Sequence, residues 1–244
     1  MKGNYKPFDH LASVARLERI LALPQGNFEE VDSLPSRDSL TFKNGYYANK
    51  CTAVFVDIRA SSSLPDIYRR PALAKLYRAY ISETVAVLNG CLKVLEVNIV
   101  GDCVWAIYNT PYRSDVDDVF EAIAKVNSLM KVLNYKLKQA GYETPVKAGT
   151  GASWGRALMI KAGLDGSGIN DVVYMGDVVN HAAKLASEGS NGWNAPPILL
   201  SNDFVGNLSN ETAKGYCQKD WASDAYTADV VNLDMNDWYL ENCT

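Results

Sequence analysis

The sequence contains few histidines and no clustered cysteines, and this scarcity limits the chemistry that it can support. Its two histidines, His10 and His181, have neither the Ser and Asp partners of a hydrolase triad nor the spacing of metal ligands. The five cysteines are scattered, odd in number and without a CxxC pair. This pattern favours reduced thiols in a cytosol over a disulfide framework or a zinc site.

Long runs of one residue class are also missing. No apolar run approaches the length that crosses a bilayer, and the N-terminal residues lack the apolar core of a signal peptide. The formal net charge is -4 and there is no long Lys/Arg run, so nothing favours binding to a nucleic-acid backbone. We therefore expect a cytoplasmic protein with no membrane span and no nucleic-acid partner, in which any phosphate chemistry needs a local site.

What the sequence does contain is a succession of strand-like and helical segments. Its 244 residues are 48% hydrophobic, which is enough for a sizeable core. The periodicity and the Gly and Pro breaks predict a helix over 8–23, a polar connection over 24–45, a strand over 51–58, a helix ending at Gly90, a strand hairpin over 91–110, a helix over 114–140, two strands around a glycine-containing bend in 146–163, and a strand entering a helix in 172–187. The pattern after residue 197 is too weak to assign.

Two aspartates stand in places where a carboxylate is costly unless something holds it there. Asp57 ends an apolar run, and Asp102 lies in the turn between two apolar runs. Taken singly, Asp57 is as readily explained as a helix cap and Asp102 as an ordinary turn residue. Taken together, they suggest a pair of carboxylates that share divalent metal ions.

Four stretches of the chain resemble the motifs of class III nucleotide cyclases in order and spacing. They are VFVDIRASSS, VNIVGDCVWAIY, GTGASWGRALMIKAG and VYMGDVVNHAAKLAS, within roughly residues 50–200. The resemblance implies an α+β fold with a ferredoxin-like core, acting as a homodimer whose active sites lie between the two chains. It also implies cyclisation of a nucleoside triphosphate with release of pyrophosphate. Residues 46–244 then form the cyclase domain with a C-terminal extension, and residues 1–45 form an N-terminal helix and a connecting segment.

The resemblance also implies a role for each matching residue. Two divalent ions, Mn²⁺ or Mg²⁺, would be bound by Asp57, Asp102 and the backbone carbonyl of Ile58. Backbone N–H groups after the strand would hold phosphate, although the family usually has Gly-Phe-Thr there, and this chain has Ala60, Ser61 and Ser62.

Three further positions match residues that the family uses on the nucleotide. Arg156 matches a pyrophosphate-contacting arginine, and Asn180 matches an asparagine that orients the ribose. Lys184 stands where the family has an arginine that stabilises charge at the α-phosphate, and lysine keeps the charge but not the planar fork. The alternative is that Arg156 is a solvated strand-end residue and that Asn180 and Lys184 form a solvated helix face.

The base-reading positions lack both purine codes of the family. These positions lie four residues before Asp102 and seven before Asn180, and they hold Asn98 and Val173. An Asn amide offers one donor and one acceptor to a pyrimidine edge, whereas Val offers neither. Bulky residues should fill part of the smaller pocket, and the candidates are Tyr47, which we favour slightly, Tyr46 and Trp105.

These departures make the chain similar to the bacterial pyrimidine cyclases of the Pycsar antiphage system. That resemblance implies conversion of UTP or CTP to a 3′,5′-cyclic monophosphate, a second messenger that activates a separately encoded effector in antiviral defence. An Asn amide can turn to fit either uracil or cytosine, so the sequence does not choose between them. The alternatives are an adenylate or guanylate cyclase with an unusual base pocket and a degenerate cyclase fold that binds nucleotide without turnover.

Overall fold

The computed structural model describes residues 1–192, 195–221 and 223–243. The predicted cyclase domain also includes residues 193, 194, 222 and 244, which lie outside this described part. The helices are α1 His10–Leu21, α2 Leu64–Ile67, α3 Arg70–Asn89, α4 Arg113–Gln139, α5 Asp177–Glu188, α6 Asn202–Asn207, α7 Glu211–Gly215 and α8 Leu233–Asn242. The strands are β1 Phe28–Val31, β2 Gly45–Ile58, β3 Val94–Val100, β4 Cys103–Asn109, β5 Ala148–Leu164, β6 Ile169–Met175, β7 Ile198–Leu200, β8 Gln218–Asp220 and β9 Ala225–Ala228.

The centre of the fold is a strand–helix–strand–strand–helix–strand unit made by β2, α3, β3, β4, α4 and β5. Its four strands have the order β3-β4-β2-β5 in the sheet, and β4 and β5 each pair antiparallel with β2. This connectivity and strand order are those of a ferredoxin-like core, so the predicted fold class is confirmed. Beyond β5 the C-terminal strands extend the sheet in the order β7-β9-β8.

The central strand β2 is covered on both faces. Its odd-numbered and its even-numbered positions both carry apolar residues, and this pattern predicts a strand covered on both sides. Val54 and Val56 pack with residues of α3 and α4, whereas Ala53 packs with Ala182 of α5. We call the side that carries Ala53 and Phe55 the α5 face. Asp57 continues this alternation, so the α5 face also carries the candidate metal carboxylate.

The N-terminal region forms the predicted helix, and part of the connection after it joins the sheet. Asp9 caps α1 by accepting a hydrogen bond from the backbone N–H of Ala12 at 3.0 Å. No residue of α1 is buried, and its apolar side chains are largely exposed. In the connection, β1 pairs parallel with β2, and Leu34 and Leu40 are buried against the α5 face.

The predicted bend in residues 146–163 is wrong, because Ala148–Leu164 is one continuous strand. The glycines that suggested a bend instead let α5 lie close to β5. A Cβ at Gly151 would come within 2.8 Å of Ala186 Cα, and one at Gly149 within 3.0 Å of the Gly189 carbonyl carbon. Glycine is therefore needed here for a close helix–strand contact.

In the described part of the chain, no helix combines the length and the apolar character that a membrane crossing requires. The longest helix, α4, has 27 residues and carries charged side chains along its exposed side.

Candidate active site

The two candidate metal carboxylates lie near one another at one end of the sheet. Asp57 is the penultimate residue of β2, and Asp102 lies in the tight turn between β3 and β4, where Gly101 has a left-handed backbone with φ 64°. Burial raises the pKa of Asp57, the Arg59 guanidinium opposes this rise, and the Asp102 carboxylate adds to it. The structure therefore brings together the pair that the sequence predicts, at a cost that a cation would relieve.

One oxygen of this pair has no partner. Asp102 Oδ2 is buried and accepts no hydrogen bond from any described residue. A partnerless buried carboxylate oxygen is costly, and hard divalent cations prefer this type of donor. The residues present thus fit a divalent ion, with the backbone carbonyl of Ile58 beside Asp57 as a further oxygen.

The protein alone would supply few ligands to such an ion. Among residues 1–192, 195–221 and 223–243, no group of three or more His, Cys, Asp or Glu side chains is placed to hold a metal. A site with two carboxylates is typical of Mg²⁺-type binding, in which water and substrate phosphate complete the coordination. Such a site is most complete when the nucleotide is present.

Arg59 is a component of the site that the sequence reasoning missed. Its Nη2 donates to Asp57 Oδ2 at 2.5 Å and to the Asp57 carbonyl at 3.1 Å, and its Nη1 donates to the Ser187 carbonyl at 2.6 Å. Only 16% of the Arg59 side chain is exposed. Arg59 therefore holds the Asp57 carboxylate and the last turn of α5 together. An arginine in a turn after a strand is usually solvated, so nothing in the sequence indicated this link.

The segment after Asp57 has the backbone shape expected of a phosphate cradle. Ala60 adopts a left-handed conformation with φ 53°, and Ser61–Ser63 form a single 3₁₀ turn that leads into α2. The N–H groups of Ala60, Ser61 and Ser62 make no backbone hydrogen bond within the described chain. They therefore remain available to an anion, and phosphate binding here stays a prediction.

Tyr77 of α3 is a second residue that the sequence reasoning did not select. Its hydroxyl donates to the Ser61 carbonyl at 3.3 Å. Burial raises the pKa of Tyr77, and the Asp102 carboxylate contributes to the rise. Tyr77 thus ties α3 to the cradle segment at Ser61. On α3 it has the spacing of an ordinary core residue, so periodicity gave no indication of this position.

The three predicted nucleotide-contacting residues lie on β5 and α5. Asn180 and Lys184 are exposed one turn apart on α5, and Arg156 forms an exposed ion pair with Asp177 at 3.5 Å. No hydrogen bond or ion pair among the described residues connects Arg156, Asn180 or Lys184 to Asp57 or Asp102. Within one chain these three side chains and the two carboxylates are thus not directly bonded.

The two predicted base-reading positions, Asn98 and Val173, point to opposite faces of the sheet. Asn98 lies opposite Trp105 on the α5 face, and its Nδ2 is buried without a hydrogen-bond partner among the described residues. Tyr174 also lies on the α5 face, so alternation turns its neighbour Val173 to the other side. Asn98 and Val173 therefore lie on opposite faces of the sheet.

Tyr47 also lies away from Asn98 in this chain. Strict alternation from Asp57 would put Tyr47 on the α5 face. The bulge between Ala48 and Cys51 shifts the alternation of β2 by one residue, so that Tyr46 and Ala48 pack on the α5 face instead. The Tyr47 side chain is 43% exposed on the opposite side.

Aromatic rings line the α5 face next to Asn98. Phe55 and Trp105 stack with their ring centroids 5.0 Å apart, and Trp105 meets Tyr174 edge to face at 6.1 Å. Trp105, one of the three predicted pocket residues, therefore lies directly beside Asn98. A planar base fits a surface of this kind through stacking and edge contacts.

Comparisons with known proteins agree with this architecture. No family model matches the chain. The uridylate cyclase of Gulbenkiania mobilis is 37% identical over 260 residues, which span 99% of this chain and all of that protein. The uridylate cyclase of Treponema porcinum is 32% identical over 95% of this chain and 80% of that protein.

A solved structure shows the same fold at much lower identity. A class III adenylyl cyclase-like ATP-binding protein from Pseudomonas aeruginosa superposes with a TM-score of 0.70 at 15% identity, over 93% of this chain and 48% of that one. The match to the G. mobilis protein extends over nearly the full length of both chains. The chain belongs to the uridylate cyclase family and has the fold of the class III nucleotide cyclases.

Proposed function

We propose that this protein is a pyrimidine nucleotide cyclase that converts UTP to 3′,5′-cyclic UMP and pyrophosphate. The observation that carries the proposal is the buried Asp102 oxygen beside Asp57, which has no hydrogen-bond partner in the described part of the chain. The chain is related over nearly its whole length to uridylate cyclases. In the reaction the ribose O3′ attacks the α-phosphorus, and the bond from that phosphorus to the oxygen bridging to the β-phosphate breaks. Pyrophosphate leaves, and the hydroxyl proton passes to water.

Asp57, Asp102 and the Ile58 carbonyl would hold two divalent ions, Mn²⁺ or Mg²⁺, which lower the pKa of the 3′-hydroxyl and offset the charge of the triphosphate. The N–H groups of the Ala60–Ser62 cradle would bind phosphate oxygens. Their free donors and the left-handed turn at Ala60 support this role.

The remaining roles fit a homodimer in which each site draws on both chains. Asn180 would orient the ribose, Lys184 would stabilise charge at the α-phosphate, and Arg156 would hold the leaving pyrophosphate. These three side chains are exposed and, in the described part of the chain, form no bond to Asp57 or Asp102, which supports their use by a partner's site. Two-fold symmetry would then give two equal active sites.

Asn98 would read the base. Its unsatisfied Nδ2 needs an acceptor, and a uracil carbonyl supplies one while the amide oxygen accepts from uracil N3–H. A cytosine edge offers an acceptor as well, so CTP is the second candidate substrate. Cyclic UMP would serve as a second messenger that activates a separate effector in bacterial antiviral defence.

The direct test incubates the purified protein with Mn²⁺ or Mg²⁺ and each of the four ribonucleoside triphosphates, and identifies the products by mass spectrometry. We expect cyclic UMP from UTP and no cyclic product from ATP or GTP. The Asp57→Ala variant should give no cyclic product. Cyclisation of a purine alone would refute the base assignment, and tight nucleotide binding without turnover in saturating Mn²⁺ would indicate a degenerate cyclase.

A further inference from the structure

A polar network next to Asn98 has no part in the reaction described above. Tyr174 donates its hydroxyl proton to Glu96 Oε2 at 2.9 Å, and Arg37 Nη1 donates to Glu96 Oε1 at 2.9 Å. Glu96 lies two residues before Asn98 on β3, and each pairs with a residue that packs on the α5 face. The network therefore lies about 7 Å from Asn98 along the strand.

Glu96 is not itself free to read a base. Both of its carboxylate oxygens are occupied, one by the Arg37 guanidinium and one by the Tyr174 hydroxyl, and only 13% of its side chain is exposed. Reading a base would require Glu96 to give up one of these bonds. Asn98 has a buried donor with no hydrogen-bond partner among the described residues. The two residues therefore differ in role: Asn98 can bind, and Glu96 is held in place.

Arg37 belongs to the connecting segment that follows the N-terminal helix. Residues 34–40 of this segment cross the α5 face, and only this part is meant below. The segment is fixed at one end by Leu34, whose backbone N–H and carbonyl both bond the side-chain amide of Asn109 at 2.9 Å. Leu34 and Leu40 are both buried. Between these two anchors, the bond from Arg37 to Glu96 ties the segment to the sheet beside Tyr174.

Tyr174 transmits this restraint to the aromatic surface. It is buried, its edge contact with Trp105 fixes one side of its ring, and its hydroxyl bond to Glu96 fixes the other. Trp105 lies directly opposite Asn98. The side chains next to Asn98 thus hold one another in place, from Trp105 through Tyr174 to Glu96.

We infer that the connecting segment is the wall that restricts the base pocket to a pyrimidine, and that Arg37 and Glu96 are the positioning residues that hold it. The inference rests on the proposed function, because it assigns the base selectivity of that same site. Arg37 and Glu96 act through Tyr174 and Trp105 and touch no reacting atom. Arg37 also donates to Asp171 Oδ1 at 2.5 Å, so loss of its side chain removes two bonds between the segment and the sheet. The segment, Glu96 and Tyr174 can then shift together and make room for a purine.

The test measures binding separately from turnover. 3′-Deoxy-UTP and 3′-deoxy-ATP lack the attacking hydroxyl, so their dissociation constants with Mn²⁺ report on the pocket alone. We expect wild-type protein to favour 3′-deoxy-UTP, and Arg37→Ala to reduce that preference at least tenfold, mainly through tighter 3′-deoxy-ATP binding. Glu96→Gln should shift the preference in the same direction, and Arg37→Lys, which can keep one bond to Glu96, should give an intermediate value.

The matched control is Arg78→Ala, which removes an exposed arginine from α3 on the other side of the sheet. It should leave the preference within twofold of wild type. The inference is overturned if wild type binds the two analogues equally, or if folded Arg37→Ala and Glu96→Gln keep the wild-type preference. A wild type that prefers 3′-deoxy-UTP but forms no cyclic UMP would instead refute the proposed function and leave the wall supported.

Discussion

The contact of α5 with β5 makes a single methyl group at Gly151 a sensitive test of the site. In Gly151→Ala the new Cβ would overlap the backbone of Ala182 and Ala186 and lie 2.8 Å from Ala186 Cα. An ordinary carbon contact needs about 3.4 Å, so α5 must withdraw by at least about 0.6 Å. Because the obstacle is backbone, no side-chain rotation can relieve it.

The expected cost has a thermodynamic and a catalytic part. Overpacking of this kind lowers the free energy of unfolding by about 1–3 kcal/mol. With a urea m-value of about 2 kcal/mol/M, the midpoint should fall by roughly 0.5–1.5 M. Asn180 and Lys184 move with α5, and displacements approaching 1 Å can reduce turnover by up to about 100-fold. We expect cyclic UMP formation to fall by about 10–100-fold.

Urea unfolding followed by circular dichroism and a mass-spectrometric assay of cyclic UMP measure the two parts on the same preparation. Gly206→Ala is the matched control, because a Cβ there meets no atom within 4 Å and Gly206 lies in α6. Its midpoint should stay unchanged or rise slightly, as expected when alanine replaces glycine in a helix. A Gly151→Ala protein with the wild-type midpoint and wild-type turnover would refute the close-contact reasoning.

Three further predictions follow from the site. Asp102→Asn should abolish cyclic UMP formation and the rise in melting temperature that Mn²⁺ gives wild type. In EDTA its melting temperature should be unchanged or higher, because the variant removes a buried carboxylate oxygen that has no partner among the described residues. Arg59→Ala should speed amide hydrogen exchange in the last turn of α5, where the bond to Ser187 is lost; unchanged exchange would show that this bond contributes nothing. Mixing inactive Asp57→Ala with inactive Asn180→Ala protein should restore about a quarter of wild-type activity. Half of the dimers are then mixed, and each mixed dimer has one intact site out of two. No recovery after subunit exchange would contradict active sites that are shared between the two chains.

The elements with strong periodicity were predictable from the sequence. The long apolar stripe of α4 and the doubly apolar β2 each follow from a local pattern that the structure keeps. The same is true of Asp57 and Asp102, because each stands at the end of such an element. Their meeting also needed the strand order, and this order came from the family resemblance.

The glycines of β5 show where a local pattern misleads. Gly149 and Gly151 indicated a bend, since glycine in a strand pattern commonly marks an irregularity. Their actual role depends on α5, which packs over them from about 30 residues later in the chain. A sequence pattern contains the glycine but not the element that approaches it.

The remaining omissions involve contacts between distant parts of the chain. Arg37 bonds to Asp171 across 134 residues, and Arg59 bonds to Ser187 across 128. Arginines in polar segments give no signal of such partners, because most of them are solvated. The placement of Tyr47 depends on one bulge, and a one-residue change in register turns every side chain to the other face.

The position of β2 between β4 and β5 has a consequence for synthesis on the ribosome. Ile58 pairs with Ala148, so β2 waits for about 90 residues to be made before its second neighbour exists. At the usual pace of translation this delay is on the order of 5–20 s. During that time a strand that is apolar on both faces has an open edge, which is the kind of segment that aggregates or binds chaperones. Synonymous changes that slow translation between β4 and β5 should therefore lower the soluble yield of an unchanged protein.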